Sequence, residues 1–220
     1  MTDPDAALSR HTDYGAERLE EADVADDPRV QFEAWLVEAA DRGVYEPNAM
    51  VLGTIGEDGV PSSRTVLLRG VGAEGFVFYT DQSSRKGRAL AANPVATLLF
   101  PWYSLHRQVI VTGEVAPVED ADSDAYWDSR PHGSRVAGTA SAQSQPIASR
   151  ADLEDRVRTL EERYPDGSDV PRPERWGGYR VRPFRIEFWQ GRTSRLHDRL
   201  VFTRPRGEDA GSWIRERLQP

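Results

Sequence analysis

The sequence predicts an α+β protein in which antiparallel strands form a barrel and helices pack outside it. Residues 49–118 consist of short stretches rich in Val, Ile, Thr, Phe and Tyr that are separated by turn residues. Segments with apolar residues at helical spacing flank this block on both sides. The chain has 220 residues, of which 38% are hydrophobic, which is enough to bury a core in one domain or a small pair.

Charge and composition exclude several classes of protein. The 28 basic and 36 acidic residues give a net charge of −8, whereas a general nucleic-acid coat or a binder of anionic membranes usually carries the opposite sign. An anionic ligand must therefore be bound by a local basic cluster. The absence of cysteine excludes disulfides, thiolate zinc sites, iron–sulfur clusters and cysteine nucleophiles. Residues 1–5 lack an apolar stretch and the apolar run at 95–102 is too short to span a bilayer, so we expect a soluble cytoplasmic protein.

The N-terminal segment is predicted to be an arm followed by a helix. Residues 1–26 are polar and acidic, and we expect them to form a flexible arm ahead of a single domain over residues 27–220. Asp27 is typical of a helix N-cap and Pro28 of the first helical position. Gly43 fits the end of this helix, and its apolar face comprises Phe32, Trp35, Leu36, Ala39 and Ala40.

The central block is predicted to contain strands at residues 49–55, 62–69, 76–80, 95–100 and 107–115. Glu57-Asp58-Gly59 has the composition of a turn between the first two strands, and residues 70–75 form the next turn. A short helix begins at Ser83 or Ser84, extends through Leu90 and is closed by Asn93-Pro94.

The remaining residues alternate between helices and strands. A helix near residues 120–129 is followed by a loop to about residue 147. Ser149 and Asp152 form a capping pair for the next helix, whose apolar face comprises Leu153, Val157, Leu160 and Tyr164. Strands follow near residues 179–181, 185–189 and 200–203, and a last strand runs through residues 213–214.

Some motifs suggest functions that their context does not support. Gly70-Val-Gly-Ala-Glu-Gly75 matches the dinucleotide fingerprint G-x-G-x-x-G, but strand residues follow it, so we interpret the glycines as a hairpin turn. The histidines at positions 11, 106, 132 and 197 lack metal-ligand spacing, and we expect no metal site. No G-x-S-x-G nucleophile elbow occurs in the sequence.

Residues 79–86 have the features of a phosphate site. A strand that ends in hydroxyl groups is followed by a helix that begins beside Arg85 and Lys86. Exposed amides, the positive end of the helix dipole and two cations then converge on one point. The alternative is a capped helix whose basic first turn is solvated.

Two further groups could bind anions. Arg64 and Arg69 interrupt an otherwise apolar strand, where a cation is costly unless it is paired. Five residues separate them, so the pleat directs them to opposite faces unless a bulge intervenes, and ion pairs with carboxylates are the alternative. Tyr126 and Arg130, four residues apart on one face at a helix end and followed by Ser134, form either a second oxyanion clamp or a structural contact.

Near the C-terminus, the aromatic side chain of Trp189 precedes a row of polar residues. Arg195, His197 and Arg199 occupy alternate positions and project from one face if their segment is extended. Such a row suits an anionic or redox-active ring. A core tryptophan followed by a solvated charged turn is the alternative.

Taken together, these motifs resemble the pyridoxamine/pyridoxine 5′-phosphate oxidase family of flavin enzymes. The similarity covers residues 27–220, with a weaker match at residues 11–14. The matching motifs are Arg64-Thr-Val-Leu-Leu, Phe78-Tyr-Thr, Ser84-Arg-Lys86, Phe100-Pro-Trp, Arg107-Gln-Val, Ser129-Arg-Pro, Gln143-Ser144, Glu187-Phe-Trp-Gln-Gly191 and Arg195-Leu-His-Asp-Arg199. The family usually has Lys where this chain has Arg69, which keeps the charge but presents a planar fork to phosphate.

The resemblance implies a split β-barrel homodimer that binds FMN where the subunits meet. The implied FMN contacts in one subunit are Arg64, Thr65, Val66, Leu67, Leu68, Arg69, Tyr79, Thr80, Arg85, Lys86 and Gln108. Those that complete the FMN site, in part from the other subunit, are Gln143, Ser144, Trp189 and Arg199. The implied substrate contacts are Tyr14, which closes over the ligand, and Arg69, Tyr126, Arg130, Ser134, Arg195, Leu196 and His197. Of these, Arg195 and His197 are the implied catalytic residues beside the pyridine ring.

The reaction implied by the resemblance is the oxidation of pyridoxamine 5′-phosphate or pyridoxine 5′-phosphate to pyridoxal 5′-phosphate, the active form of vitamin B6. Molecular oxygen accepts the electrons and becomes hydrogen peroxide, and the amine substrate also releases ammonia. Two alternatives remain open at this point. One is a related FMN oxidase acting on another aromatic substrate, such as a phenazine precursor. The other is a flavin- or pyridoxal-phosphate-binding module without turnover.

Overall fold

The computed structural model describes Asp5, Leu8, Ser9, residues 12–207 and residues 211–220. The weaker match at residues 11–14 and the predicted arm therefore lie partly outside the described residues. The chain divides into two compact units. The terminal unit comprises Met1–Pro47, Leu99–Val111 and Phe184–Pro220, and the central unit comprises Asn48–Leu98 and Thr112–Pro183. No helix among the described residues is long and apolar enough to cross a membrane.

Helices and strands alternate along the described chain. The helices are α1 (Pro28–Asp41), α2 (Arg85–Ala92), α3 (Asp120–Asp128), α4 (His132–Ala140) and α5 (Arg150–Arg163). The strands are β1 (Ala49–Ile55), β2 (Pro61–Leu67), β3 (Gly70–Gly72), β4 (Gly75–Asp81), β5 (Val95–Trp102), β6 (Arg107–Pro117), β7 (Trp176–Gln190), β8 (Asp198–Thr203) and β9 (Ile214–Leu218). Short 3-10 turns lie at Glu21–Asp23, Tyr103–Leu105 and Thr193–Arg195.

The strands form a sheet in the order β2-β1-β5-β6-β7-β4-β3, and β8 pairs with both β7 and β9. The pairs β1–β2, β3–β4, β4–β7, β7–β8 and β8–β9 are antiparallel. Gly72 pairs with Gly75, so the G-x-G-x-x-G motif is the predicted hairpin between two strands. The predicted α+β, predominantly antiparallel architecture is confirmed.

In the central unit, three helices pack around two tryptophans. Trp127 of α3, Val136 of α4, Val170 and Trp176 at the start of β7 form a buried cluster. The Trp127 indole Nε1 donates to the Val170 carbonyl at 2.7 Å, which satisfies its only polar atom in the core. The predicted apolar face of α5 contributes to this cluster through Val157, Leu160 and Tyr164. The predicted cap is confirmed, because the Asp152 amide donates to Ser149 Oγ at 3.1 Å.

In the terminal unit, α1 packs through aromatic side chains. The Asp27 side chain accepts a hydrogen bond from the Arg29 amide, and Pro28 begins the helix, as predicted. The Phe32 ring lies 4.8 Å from the Phe100 ring, and the Trp35 ring lies 5.3 Å from the Phe188 ring. The predicted apolar face is wrong at one position, because Ala40 is exposed at the edge of the packed stripe.

The structure corrects several predicted boundaries. The segment predicted as a loop to residue 147 contains the helix α4. This helix buries only Val136 and Ala140, and its other residues are mostly small or polar, so the sequence shows little helical periodicity. A single strand, β7, replaces the two strands predicted near residues 179–181 and 185–189. Pro183 does not interrupt it, because proline can keep an extended backbone and removes only one N–H donor from the strand pairing. The second predicted strand ends at Leu67 rather than residue 69, and the last begins at Ile214.

Candidate active site

A cavity of about 960 Å³ in the central unit collects most of the predicted anion-binding residues. Its walls come from β2, the end of β4, the first turn of α2, the end of α3 and the start of α4 with the loop that follows it. The predicted residues that line it are Arg64, Thr65, Val66, Leu67, Arg69, Tyr79, Thr80, Arg85, Lys86, Tyr126, Arg130, Ser134, Gln143 and Ser144.

Arg64 and Arg69 line the same cavity, although the pleat was predicted to separate them. The reason is that β2 ends at Leu67, so the alternation of faces stops before Arg69. The backbone amide of Arg69 donates instead to the Val77 carbonyl at 2.8 Å. Leu68, another predicted FMN contact, is buried and is not among the residues that line the cavity.

Lys86 lies in a shell of neutral oxygen atoms. Ser84 caps α2, and the buried Lys86 Nζ donates to Thr80 Oγ1 at 3.0 Å, to Ser84 Oγ at 3.3 Å and to Gln143 Oε1. Burial, together with the nearby charge of Arg64, lowers the pKa of Lys86 to about 8, although Asp81 opposes the shift. The ammonium group is therefore desolvated but has not been neutralised by a carboxylate in direct contact.

Arg64 is also held by neutral groups. Its guanidinium donates to the Leu52 carbonyl at 3.0 Å, to Thr54 Oγ1 at 2.8 Å and to Ser62 Oγ at 2.6 Å. Burial and the charge of Arg85 lower the pKa of Arg64. These bonds fix the direction of the fork without cancelling its charge.

A second cationic group surrounds an aromatic stack. The Tyr79 and Tyr126 rings stack at 4.1 Å, and the Tyr79 ring is nearly parallel to the Trp176 ring at 5.6 Å. The Arg69 guanidinium lies over Tyr126 at 5.7 Å, and the Arg130 guanidinium lies over Trp176 at 4.8 Å. These cation–π contacts hold both guanidinium groups at the cavity wall.

Arg130 carries a polar atom without a protein partner. Its Nη1 is buried and has no hydrogen-bond partner among the described residues. Burial lowers the pKa of Arg130, as does Arg69, while Tyr126 opposes the shift. Arg130 follows the end of α3, so it lies beyond the helix rather than on the predicted helical face. A buried guanidinium nitrogen without a partner is costly, and an anionic oxygen would satisfy it.

The electrostatics of the cavity favour an anionic ligand. Its cationic residues are Arg64, Arg69, Arg85, Lys86 and Arg130. Within the part of the chain that the structure describes, none of the five forms an ion pair, although the sequence has 36 acidic residues. Gathering like charges in a half-buried space is unfavourable unless an anion compensates them. The residues therefore fit phosphate esters, with three cations beside α2 and two beside the aromatic stack.

The remaining predicted site residues belong to the terminal unit, and several of them form an aromatic cluster. The Tyr14 ring lies 5.9 Å from Trp189 and 5.5 Å from His197, and Trp189 lies 4.7 Å from His197. The Tyr14 carbonyl accepts a hydrogen bond from His106 Nδ1 at 2.9 Å. Tyr14 is thus next to two residues that the resemblance assigns to the flavin and the substrate.

The segment with Arg195, His197 and Arg199 is not extended, so the condition under which the three side chains would share one face is not met. Arg195 ends a 3-10 turn with φ +61°, after Ser194 with φ +56°, and β8 begins only at Asp198. The loop is shaped in part by His197, whose Nδ1 accepts a hydrogen bond from the Arg192 amide at 3.1 Å. Burial and the charge of Arg195 lower the pKa of His197.

Three other predicted site residues of the terminal unit have different environments. Arg199 binds the buried Glu187 carboxylate at 2.7 Å and donates to the Gln219 carbonyl at 3.0 Å. Gln108 lies half-buried in β6, and Leu196 has 68% of its surface exposed. The Arg199 charge is therefore already paired within the protein, in contrast to the cavity cations.

Some cavity residues were not predicted from the sequence. They are Ser62, Ser63, Ser129, Pro131 and Trp176. Ser62 and Ser63 could have been found, because they directly precede Arg64 on the same strand. Trp176 reaches the cavity through the pairing of β4 with β7, in which it lies opposite Asp81, and no local signal indicates this.

Comparisons with known proteins agree with the sequence motifs. A family model described as pyridoxamine 5′-phosphate oxidase matches residues 36–164, and one described as the pyridoxine 5′-phosphate oxidase C-terminal dimerisation region matches residues 176–220. A pyridoxine/pyridoxamine 5′-phosphate oxidase from Kineococcus radiotolerans is 51% identical over 100% of both chains. One from Thermosynechococcus vestitus is 52% identical, over 94% of this chain and 96% of its own.

Solved structures confirm the split β-barrel fold class. PhzG from Burkholderia lata, in complex with tetrahydrophenazine-1-carboxylic acid, has a TM-score of 0.86 at 31% identity, covering 94% of this chain and 100% of PhzG. A pyridoxamine 5′-phosphate oxidase-related, FMN-binding protein from Nostoc punctiforme has a TM-score of 0.70 at 18% identity, covering 90% of this chain and 100% of that one. The second likeness concerns the fold alone.

Proposed function

The chain belongs to the pyridoxamine 5′-phosphate oxidase family, and on that premise we propose that it is an FMN-dependent oxidase of vitamin B6 phosphates. In this proposal it converts pyridoxamine 5′-phosphate or pyridoxine 5′-phosphate to pyridoxal 5′-phosphate, with oxygen as the acceptor. Hydrogen peroxide is released, and the amine substrate also yields ammonia. The observation that carries the proposal is the presence in one cavity of two cationic groups that form no ion pair with the described residues, one group for each phosphate ester.

The FMN phosphate is assigned to the group beside α2. Arg64, Arg85 and Lys86 supply charge there, and the N-terminal amides of α2 add the positive end of the helix dipole. Gln143 and Thr80 already bind each other at 3.1 Å beside Lys86, so they would help to orient the phosphate. When bound, FMN supplies the two-electron redox chemistry that the side chains lack.

The substrate phosphate is assigned to the group beside the aromatic stack. The unpartnered Nη1 of Arg130 is a ready donor to a phosphate oxygen, and Arg69, Tyr126 and Ser134 line the same part of the wall. Anchoring the phosphate at a distance from the reacting carbon restricts the orientation of the pyridine ring.

The terminal unit is proposed to complete the site in a homodimer. Residues 176–220 match a dimerisation region, and they include Trp189, Arg195, His197 and Arg199. In this proposal Arg195 and His197 contact the substrate, with His197 neutral near pH 7 because burial and Arg195 lower its pKa. A neutral imidazole beside an arginine can position the amine or alcohol of the substrate without adding positive charge.

A second candidate is oxidation of a phenazine precursor, and the similarity to PhzG favours it. Two observations favour the vitamin B6 phosphate. PhzG is 31% identical, whereas relatives bearing the vitamin B6 oxidase name are 51% and 52% identical. The Arg69–Arg130 group also supplies two positive charges, which a phosphate monoester with nearly two negative charges compensates more fully than a single ring carboxylate does.

A steady-state comparison of substrates tests the proposed function. Peroxide production is measured with pyridoxamine 5′-phosphate, pyridoxine 5′-phosphate, unphosphorylated pyridoxamine and a dihydrophenazine carboxylate. We expect kcat/KM for the phosphorylated vitamers to exceed that for pyridoxamine by at least about a hundredfold, because two charge-assisted contacts are lost with the phosphate. Preferential oxidation of the phenazine substrate would favour the second candidate, and binding of flavin without turnover of any substrate would favour a binding module.

A further inference from the structure

Arg175 joins three elements beside the cavity but does not line it. Its Nε donates to Asp81 Oδ2 at 2.9 Å, and its Nη2 donates to the carbonyls of Thr139 at 2.8 Å and Ser141 at 3.1 Å. The last turn of α4, which lies wholly within the described chain, has no basic residue of its own. Arg175 therefore supplies the charge and the donors that the carbonyls at the end of this helix need.

Asp81 directs this arginine and shapes the start of α2. The Asp81 side chain is only 5% exposed, so its charge must be compensated within the protein. One carboxylate oxygen accepts from the Ser83 amide at 2.8 Å and from Ser83 Oγ at 2.6 Å, and the other accepts from Arg175. A single buried carboxylate thus connects the entry to α2, where Lys86 lies, with the end of α4.

The segment held by Arg175 leads directly to Gln143. Ser141, whose carbonyl Arg175 binds, is two residues before Gln143, and Gln143 Oε1 accepts from Lys86 Nζ and Thr80 Oγ1. Ser144 follows with φ +70°, a conformation that a non-glycine residue adopts only when its surroundings impose it. Polar contacts therefore fix the segment after α4 at Ser141, through Arg175, and at Gln143, through Lys86 and Thr80.

We propose that Asp81 and Arg175 are positioning residues that hold the segment after α4, and with it Gln143, against Lys86, and that they thereby set the affinity for FMN. The inference rests on the proposed function, because it assumes that Lys86 and Gln143 face the flavin phosphate. Neither Asp81 nor Arg175 contacts the ligand in this proposal, so each acts through the position of Gln143.

The test measures FMN affinity and loop exchange in R175M, R175K and D81N. FMN is titrated into apoprotein by fluorescence quenching, and amide hydrogen exchange is followed for residues 141–149. We expect R175M and D81N each to weaken FMN binding about tenfold or more and to speed exchange at residues 141–149, because each removes a charge-assisted contact of this network. R175K should recover only part of the affinity. Lysine keeps the positive charge, but its ammonium group cannot bind the carboxylate and the carbonyls at the same time as the guanidinium fork does. At saturating FMN, kcat and KM should stay within about threefold of wild type.

R172M is the matched control, since it removes another arginine of the connection between α5 and β7 to which Arg175 belongs. Arg172 binds Asp124 at 2.6 Å and Asp120 at 3.0 Å and donates to the Trp176 carbonyl at 2.7 Å, so R172M loses two ion pairs and one hydrogen bond without touching the segment after α4. We expect R172M to lower thermal stability while leaving FMN affinity within about twofold. Unchanged FMN affinity in R175M, or an equal loss in R172M, would overturn the inference alone. A wild-type apoprotein that binds no FMN would overturn the proposed function together with it.

Discussion

Lys86 Nζ donates a hydrogen bond to the side-chain oxygen of Gln143, which lies 57 positions further along the chain. Thr80 Oγ1 and Ser84 Oγ are the other oxygen atoms around this ammonium group, and all three partners are neutral. A carboxylate in their place would have cancelled the charge. The contact therefore orients a buried cation and leaves its charge available to an anionic ligand.

Loss of the Lys86 charge should weaken FMN binding more than it affects folding. We expect K86M to raise the Kd for FMN about 10- to 100-fold, because one charge-assisted contact to phosphate disappears. The measurement is quenching of flavin fluorescence by the apoprotein. K86R is the control that keeps the charge and should lie between K86M and wild type. Equal FMN affinity in K86M and wild type would show that the phosphate binds elsewhere.

FMN affinity should fall as the pH rises through about 8. The pKa of Lys86 in the free protein is lowered to about 8, so the ammonium that attracts phosphate is lost above that pH. We expect the Kd to increase about tenfold between pH 7.5 and pH 9.5, and the increase should be absent in K86R, since arginine stays protonated. A pH-independent Kd in the wild type would contradict the assignment.

The lowered pKa of Lys86 should have the opposite effect on the stability of the apoprotein, which should increase as the pH rises. The folded pKa of Lys86 is about 8, below its ordinary value of 10.5, so the unfolded chain binds more protons between these two values. The contribution of Lys86 to the free energy of unfolding therefore increases as pH rises from about 8 to 10.5. Urea unfolding of apoprotein should show this increase relative to K86M, and a decrease would contradict it.

Substitution of Arg130 should weaken binding of the substrate phosphate and leave FMN binding unchanged. We expect R130M to raise KM for pyridoxamine 5′-phosphate at least about tenfold while the FMN Kd stays within about twofold, because Arg130 belongs to the second cationic group. Turnover of unphosphorylated pyridoxamine should not change. If R130M instead weakens FMN, the division of the cavity into two phosphate sites is wrong.

Arg195 and Lys86 should have separable effects. We expect R195M to reduce kcat strongly while the purified protein keeps its flavin, and K86M to lose flavin while the reconstituted enzyme turns over near the wild-type rate. Flavin content and peroxide production are measured for both variants. Equal loss of both properties in both variants would refute this separation of roles.

Gly87 should be required for the geometry of the first turn of α2. A Cβ at this position would lie 1.9 Å from the Gln82 carbonyl oxygen, so G87A must displace the segment that places Lys86. We expect a loss of about 2 kcal/mol or more in the free energy of unfolding. G133A is the control, because a Cβ there meets nothing within 4 Å, and it should be neutral or stabilising by up to about 1 kcal/mol. Similar stability of both variants would contradict the prediction.

Local chemistry explains what could be predicted from the sequence. Asp27 and Ser84 cap their helices as predicted, because a cap depends only on residues within one turn. The glycines at 70–75 form a hairpin because strand residues follow them. The cation-rich start of α2 and the pair Tyr126 and Arg130 could each be recognised from a local motif. The structure shows that both groups line one cavity.

The misses arise where long-range pairing decides the outcome. α4 has few apolar residues, and its stability depends on packing against Trp127 and on the distant Arg175. The row from Arg195 to Arg199 depended on an extended segment, but the backbone at Ser194 and Arg195 is left-handed, which neither residue type indicates. Trp176 joins the aromatic stack only because β7 pairs with β4. Such contacts are set by the tertiary fold rather than by neighbours in sequence.

The absorption spectrum of the purified protein tests the central claim most directly, when it is recorded without oxygen before and after adding pyridoxamine 5′-phosphate. We predict an oxidised flavin spectrum that bleaches with the phosphorylated amine, does not bleach at the same concentration of pyridoxamine and returns when air is admitted. A protein that binds no flavin, or whose bound flavin stays oxidised in the presence of pyridoxamine 5′-phosphate, would contradict the claim that the cavity joins FMN to a vitamin B6 phosphate.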